Sequence, residues 1–326
     1  MFAGVLVGGS PAPTVSAIVN DYSLTVGDTG TAHNVTITGT NFSFGVSAIT
    51  ICGGSASSIV VVNDTTVTCS TPTSVSSALG DVVVTGAGGS ATLTNGYRLW
   101  TPASASPTLW CKDSIVQSGG TVTTWNDSSG NGRNLQNSGN KATYTSNLRN
   151  GYPGLTFAGT EGPYQSAVGV TMANIITASA STMYFMFKVT SISTNNVASY
   201  QNDALMSDFG GYYATYFRSG GPLVGLGWYT SADHVDTQSI STGTFYIIEE
   251  LHSSGNIFTR LNNGTQSAGT GAGDLGSTAS RFQVGSDYQI SHHFTGATGE
   301  IVIYNTALNS TDQSYNRGYL LTRWAI

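Results

Sequence analysis

The sequence predicts an all-β protein: two sandwich domains in series, with one short helix at the C-terminal end. Three observations carry this. Short apolar runs recur every 8–12 residues, with Gly, Asn, Asp and Pro between them, the spacing of sandwich strands and their turns. Glycine is 41 of 326 residues, where about 7% is usual. Charged residues make up only 9%, against about 25% in an average soluble protein. Sixteen Tyr, twelve Phe and five Trp supply core material and the net charge is a modest −6, so the chain does not read as disordered. Its length leaves room for two or three domains with real cores. Eleven basic residues against seventeen acidic ones leave no footprint for nucleic acid or for docking on an anionic membrane. No apolar run approaches the roughly 18 residues that span a bilayer, so membrane insertion is not expected.

Residues 1–10 open the chain with Met1, Phe2, Val5, Leu6 and Val7 and no Lys or Arg before them, which does not fit a secretory signal. The segment reads as a first strand or flexible lead, or as a peg that docks into a partner particle. Residues 11–98 then form the first domain. Val35 to Phe42 is VTITGTNF. Ala48–Ile51 precedes a Gly53-Gly54 turn, followed by Ile59 to Val62, Thr66 to Cys69 with Pro72, and Asp81 to Thr85 before a Gly-rich turn and Asn95-Gly96-Tyr97. The motifs VTITGTNF and VTCSTP, in this order, resemble the IPT/TIG family, which implies an immunoglobulin-like sandwich. Such domains serve transcription factors, receptors, carbohydrate enzymes and virion proteins, so fold alone does not choose a use.

Cys52 and Cys69 could approach across this sandwich. A bridge there would close a loop of about 18 residues and contribute roughly 3 kcal/mol. Two buried reduced thiols are the alternative if the chain folds in a cytoplasm. Cys111 has no partner at C-x-x-C spacing and the histidines are scattered, which disfavours zinc.

Residues 99–107, LWTPASASP, read as a short Pro/Ser/Ala linker, and residues 108–326 as the second domain. Tyr184 to Val189 is apolar enough for a buried inner strand. Strands follow at Leu205–Asp208, Tyr212–Phe217, Val224–Tyr229, Phe245–His252 and Ile257–Leu261, the last ending in the turn signal Asn262-Asn263-Gly264. Phe282–Gly285 and the closing strand Glu300–Tyr304 complete the β pattern. A helix begins near Ser310 or Thr311 as cap and puts Tyr315, Tyr319, Leu320 and Trp324 on one face.

At both ends this second domain carries a further pattern. Leu109-Trp110, then Trp125, Asp127, Ser129-Gly130-Asn131-Gly132, then Asn150-Gly151, Pro153, Leu155, Phe157 and Gly159 open it. Gly299 to Tyr304, Ala307-Leu308, Tyr319-Leu320 and Trp324 close it. The series resembles LamG-like, concanavalin A-like domains, which implies a jelly roll. The expected architecture is therefore an immunoglobulin-like sandwich followed by a concanavalin A-like (LamG-like) jelly-roll sandwich with one short C-terminal helix.

Carbohydrate binding is the commonest use of the LamG-like family, and it needs aromatic platforms beside hydrogen-bonding loops. The candidates are Tyr212, Tyr213 and Tyr216, and Trp228 and Tyr229 with Asp233 and His234; each aromatic has core packing as its alternative. Calcium could be held by Asn126, Asp127, Asn131 and turn carbonyls, or these side chains could instead bond their own loop in Asx-type turns; no other cofactor is expected. His292-His293 could be a metal pair or two polar loop residues. Catalysis is not expected. Glycoside hydrolysis needs two carboxylates flanking a bond, and of Glu161, Glu249, Glu250 and Glu300 the adjacent pair should face opposite sides of a strand. No G-x-S-x-G elbow marks a nucleophile.

Surface-type β modules without an export signal fit a virus particle component, and both resembled families occur in tailed-phage head decoration, fibre and tail proteins. The expectation is a structural, non-enzymatic virion-surface protein, made in the host cytoplasm. Its partners would be other virion proteins such as the major capsid protein, and cell-surface polysaccharide at the outer domain. A homo-oligomer and a monomer both fit. The alternatives are a secreted or surface bacterial adhesin, placed outside the cell, and, further off, a polysaccharide-active enzyme.

Overall fold

The computed structural model describes residues 9–177, 179–191, 204–208, 214–218, 225–229, 233–235, 238–269, 281–286 and 293–326, the four short strands between 204 and 235 by backbone alone. Two compact units emerge: residues 1–104 with 314–323, and residues 105–313 with 324–326.

The first unit is a sandwich. One sheet orders Thr14–Asn20, Asn34–Thr40, Thr66–Ser70 and Ser57–Asn63; the other orders Val26–Asp28, Gly89–Trp100, Ala78–Gly86, Val46–Ile51 and Gly54–Ser55. Alternation sets the faces: along Asn34–Thr40, Val35 and Ile37 turn inward and meet Ile18, Ile49, Val67, Val82, Val84 and Tyr97. The VTITGTNF motif has a physical reading. A Cβ at Gly39 would sit 1.9 Å from the Thr14 carbonyl oxygen and 2.6 Å from the Phe42 ring, so only glycine fits. Asn41 takes left-handed backbone (φ 66°) and its amide donates to Ala12 O at 2.8 Å, and Phe42 then drops into the core.

Of the two readings left open for Cys52 and Cys69, a bridge or reduced thiols, the structure has free thiols. Cys52 occupies a left-handed turn position and its Sγ donates to Tyr97 O at 3.2 Å, while Cys69 is a core residue on the strand Thr66–Ser70. Leu99 and Trp100, read as linker, end the strand Gly89–Trp100 and are buried. Residues 314–323, read with the second domain, count with the first unit: Trp100 Nε1 donates to Asn316 Oδ1 at 3.3 Å, the Trp100 and Tyr315 rings lie 5.1 Å apart, and Arg323 pairs with Asp28 at 3.7 Å.

The second unit is built on the strand Ala180–Val189, flanked by Phe245–Ser253 and Thr295–Tyr304. All of its residues from Ser181 to Phe187 are buried, as the apolar run predicts. The hairpin Leu109–Ser118/Thr121–Asp127 turns at Gly119-Gly120, both at positive φ, and its first strand pairs with Thr295–Tyr304. Leu109, Trp125, Leu155, Phe157, Phe185, Ile248 and Ile301 are among the core residues. The hydrogen-bonded path then runs outward from Thr121–Asp127 through Leu135–Gln136, Tyr164–Ser166, Phe282–Val284, Ala204–Asp208, Ala214–Arg218 and Gly225–Tyr229 to Asp233–Val235. The turn 262–264 joins Asn256–Leu261 to the short strand Ser267–Gly269, and the hairpin before it turns at Ser254-Gly255. The closing helix is Ser310–Trp324. Its cap is Asn309, one residue earlier than expected: Asn309 Oδ1 accepts from Asp312 N at 2.9 Å and its amide donates to Asp312 Oδ2 at 2.8 Å.

Candidate functional site

A cleft of about 520 Å3 opens in the second unit between two turns, 136–140 and 160–165, with Arg281 and His293 on its wall. Two of its lining residues, Gln136 and Gln165, are register partners in a row that crosses the sheet through Thr124, Gln283 and Ser207. The alternate row, through Tyr164 and Val284, is core. Two-residue periodicity thus puts Tyr164 and Val284 in the core and Gln136 and Gln165 at the cleft. Gln165 Nε2 donates to Gln283 Oε1 at 2.9 Å, and Gln283 is fully buried.

The two turns are stitched together. Asn137, 6% exposed, accepts from Gly139 N at 2.7 Å and donates to Asn140 O at 2.8 Å and to Gly162 O at 2.7 Å. Gly162 N adds a bond to Asn140 O at 2.9 Å. Asn137 thus serves as an Asx turn on one side and a cross-brace on the other. The second turn is fixed by Glu161, whose carboxylate accepts from the amides of Ala158, Gly159 and Thr160 at 2.8–3.0 Å. Its own carbonyl takes His293 Nδ1 at 2.8 Å. A carbonyl only accepts, so Nδ1 carries the proton.

The chemistry this arrangement offers is binding and orientation. Side-chain amides, an arginine and an imidazole converge, and no carboxylate is among the described residues lining the cleft. Acids elsewhere in the unit are held in structure. Glu300 is fully buried and accepts from the indoles of Trp110 at 2.7 Å and Trp324 at 2.8 Å. Glu249 lies opposite Tyr184 and Arg260, Glu250 opposite Met183 and Thr259, so the two do take opposite faces, both buried; Glu249 pairs with Arg260 at 3.6 Å. His252 is fully buried, and desolvation pulls its imidazole down to about 3.

Of the predicted calcium residues, Asp127 is enclosed by donors: Trp110 N and Ser129 N reach Oδ1, and Ser129 Oγ and Arg133 N reach Oδ2, at 2.8–3.0 Å. Asn131 turns its amide nitrogen to Pro107 O and Thr108 O, and Asn126 donates to Ser114 Oγ. The loop-bonding reading therefore describes this stretch, since carboxylate oxygens that face hydrogen donors are not arranged for a cation. Among the described residues no group of three His, Cys, Asp or Glu is close enough to hold a metal ion.

Of the predicted sugar platform, Tyr212 and Tyr213 lie outside the described residues, as do His292 and the docking candidates Met1, Phe2, Val5, Leu6 and Val7. The backbone pairs Trp228 with His234 and with Thr215, and Tyr229 with Asp233. Trp228 and His234 thereby share the register row of Met206, Val284 and Tyr164. Tyr216 pairs with Gly227, which pairs with Val235; this row and the Tyr229–Asp233 pair take the opposite face of the sheet from Trp228. These strands extend the sheet that carries the cleft. Sequence reasoning missed the cleft itself; the density of amides in 134–140 was its local signal, but Arg281 lies far along the chain.

Residues 13–99 match the model of the IPT/TIG domain, two residues inside the expected start and one beyond the expected end. No curated protein matches the chain. Among solved structures, domain 4 of AbnA, a GH43 extracellular arabinanase from Geobacillus stearothermophilus in complex with arabinotriose, has TM-score 0.49 and 14% identity, over 65% of this chain and 98% of that one. The binding domain of Paraclostridial Mosquitocidal Protein 1 has TM-score 0.45 and 12% identity over 66% of this chain, and the match spans 52% of that chain. Trypanosoma rangeli sialidase has TM-score 0.42 and 11% identity over 90% of this chain, and the match spans 43% of that one. Likenesses at this level do not bear on function.

Proposed function

We propose that this chain is a non-catalytic binding protein whose second unit, a LamG-like jelly roll, holds a saccharide in the amide-lined cleft. The observation that carries this is the register pair Gln136–Gln165 lining a braced polar cleft with no lining carboxylate among the described residues. Side-chain amides on rigid backbone match the paired donors and acceptors of vicinal hydroxyls, and a braced wall lowers the ordering cost of binding. Glu161, Glu249 and Glu300 are committed to amides, a guanidinium and indoles, which supports binding over hydrolysis. A glycan array followed by titration calorimetry tests this. Saccharides bind at micromolar to millimolar levels, and Gln165→Ala weakens the best of them roughly tenfold, about 1.4 kcal/mol. Binding that is absent across the array, or indifferent to Gln165→Ala, sinks the reading.

The biological setting we propose is the surface of a tailed-phage particle. The N-terminal segment and the immunoglobulin-like unit would attach to other virion proteins such as the major capsid protein, and the second unit would meet cell-surface polysaccharide. Low charge and two sandwich modules support this, and among the described residues no helix is long and apolar enough to cross a membrane. Antibody labelling of purified particles in electron micrographs is the check. Label on particles is expected; label confined to bacterial surfaces favours an adhesin.

A further inference from the structure

We infer that the immunoglobulin-like unit pairs with a second copy of this chain through the strand Ser57–Asn63, edge to edge about a twofold axis. This strand ends its sheet. It pairs with Thr66–Ser70 on one side and with no second strand among the described residues. Its other side therefore presents backbone N–H and C=O groups as a template for a further strand. The sequence SSIVVVN has no charge and no proline to blunt that edge. Val60 is 56%, Val61 37% and Val62 57% exposed. Phe44, in the turn Phe42–Phe44 that lies against this strand, is 52% exposed. The other edges of the sandwich are kept differently. Thr14–Asn20 has its large apolar residues Val15, Ile18 and Val19 buried or half-buried. Val26–Asp28 is three residues long and buried, and Gly54–Ser55 is two residues long.

The strand is complementary to itself. Its register against Thr66–Ser70 shifts between Ser57 and Val60 and again between Val61 and Asn63, so Val60 and Val61 are its regular centre. An antiparallel twofold through Val61 puts that residue opposite its own copy and Val60 opposite Val62 of the second copy. Opposed apolar residues stabilise a ladder and hold its register. The charge nearest the strand is Asp64. The same register puts Asp64 opposite Ser58 of the second copy and about 20 Å from that copy's Asp64, at about 3.4 Å per residue. That is beyond the range at which like charges repel through physiological salt. A twofold contact uses the same edge on both chains, so it closes at a dimer and does not propagate. A single strand pairing is a small contact, and a dissociation constant on the order of 10–100 µM is expected.

Sedimentation equilibrium of the full chain tests this. Between about 1 and about 200 µM the mass should rise from that of one chain towards that of two, and stop there. Val60→Lys with Val62→Lys sets like charges opposite each other in both cross-strand pairs and should weaken the dimer at least about tenfold. Val60→Lys with Val62→Glu sets opposite charges there and should keep it. Val61→Cys should give a disulfide-linked dimer under mild oxidation, because directly opposed residues lie about 4.5–5.5 Å apart at Cα, within disulfide range. The wild-type chain is the baseline, and Val116→Cys, at an exposed valine of the second unit, should link far more slowly. Melting curves establish that the variants are folded, and Val61→Cys decides the matter where a charged variant is not. A mass of one chain throughout overturns the proposal and leaves the edge to a partner of another kind. A dimer that both charge variants keep, or that both lose equally, overturns it too. So does a dimer that Val61→Cys fails to link, since the copies would then meet at another surface.

Discussion

Replacing Glu161 tests whether the cleft is a prebuilt frame. Its carboxylate accepts from Ala158 N at 2.9 and 2.8 Å, Gly159 N at 2.9 Å and Thr160 N at 3.0 Å. Hydrogen bonds to a charged group contribute about 1.5–3 kcal/mol each, but these three share one acceptor and sit on a turn that water can reach in the variant. A total of about 2–3 kcal/mol for Glu161→Ala follows. Glu161→Gln keeps one oxygen, which can take the Oε2 position used by all three amides and sets an NH2 near Ala158 N, so about half that loss is expected. In a unit of this size 1 kcal/mol corresponds to about 2–4 °C, so Glu161→Ala should lower the melting temperature by roughly 4–12 °C, and Glu161→Gln by less. Circular dichroism melts and urea midpoints measure this. Because His293 hangs on the Glu161 carbonyl, ligand affinity at the cleft should fall with the melt. A shift under about 1 °C, or Gln costing more than Ala, would refute the reasoning, since either result means the amides do not depend on this carboxylate.

Acid should weaken the fold through His252. Its folded value of about 3 lies below the ordinary 6.5, so the unfolded chain binds the extra proton; stability is whole above about pH 6.5 and declines by up to about 1.4 kcal/mol per pH unit towards pH 3. His252→Gln should flatten that limb in urea titrations, and an unchanged slope would contradict it. All three cysteines should alkylate in urea without reductant, and burial, which lifts the Cys69 thiol to about 12, should make that residue slow in the native state at neutral pH; a non-reduced chain with only one reactive thiol in urea would show a bridge. Gly39→Ala should cost about 3 kcal/mol or more, because its methyl collides with the Thr14 carbonyl and strands must separate; a wild-type urea midpoint would sink that account.

Where local pattern decides structure, the sequence was readable. VTITGTNF encodes an inward pair, a close approach at Gly39 and a left-handed Asn41 in one run, and Tyr184 to Val189 needs only its composition to read as buried. The helix cap slipped by one residue because Asn309, Ser310 and Thr311 are all good caps, and it is Asn309 that makes the reciprocal bonds with Asp312. Asp127 kept two readings open because Asn, Asp, Ser and Gly serve calcium and turns alike; only the directions of four donors separate them. The cleft was hidden for another reason. Gln136, Gln165 and Gln283 become neighbours through strand register, and Glu161 looks like a free acid until the amides before it are seen to point at it.

The bond from Trp110 to Glu300 joins residues 190 positions apart, and the bond from Trp324 reaches back 24 more. On a ribosome, Trp110 emerges long before its acceptor, and the acceptor emerges before its second donor. Until residue 324 is free, the carboxylate lacks one of its indole donors and the strand Thr295–Tyr304 has only just become available to its partners. This unit therefore locks last at the place where its earliest and latest segments meet, and a nascent chain stalled short of Trp324 is the form most exposed to proteases and mispairing.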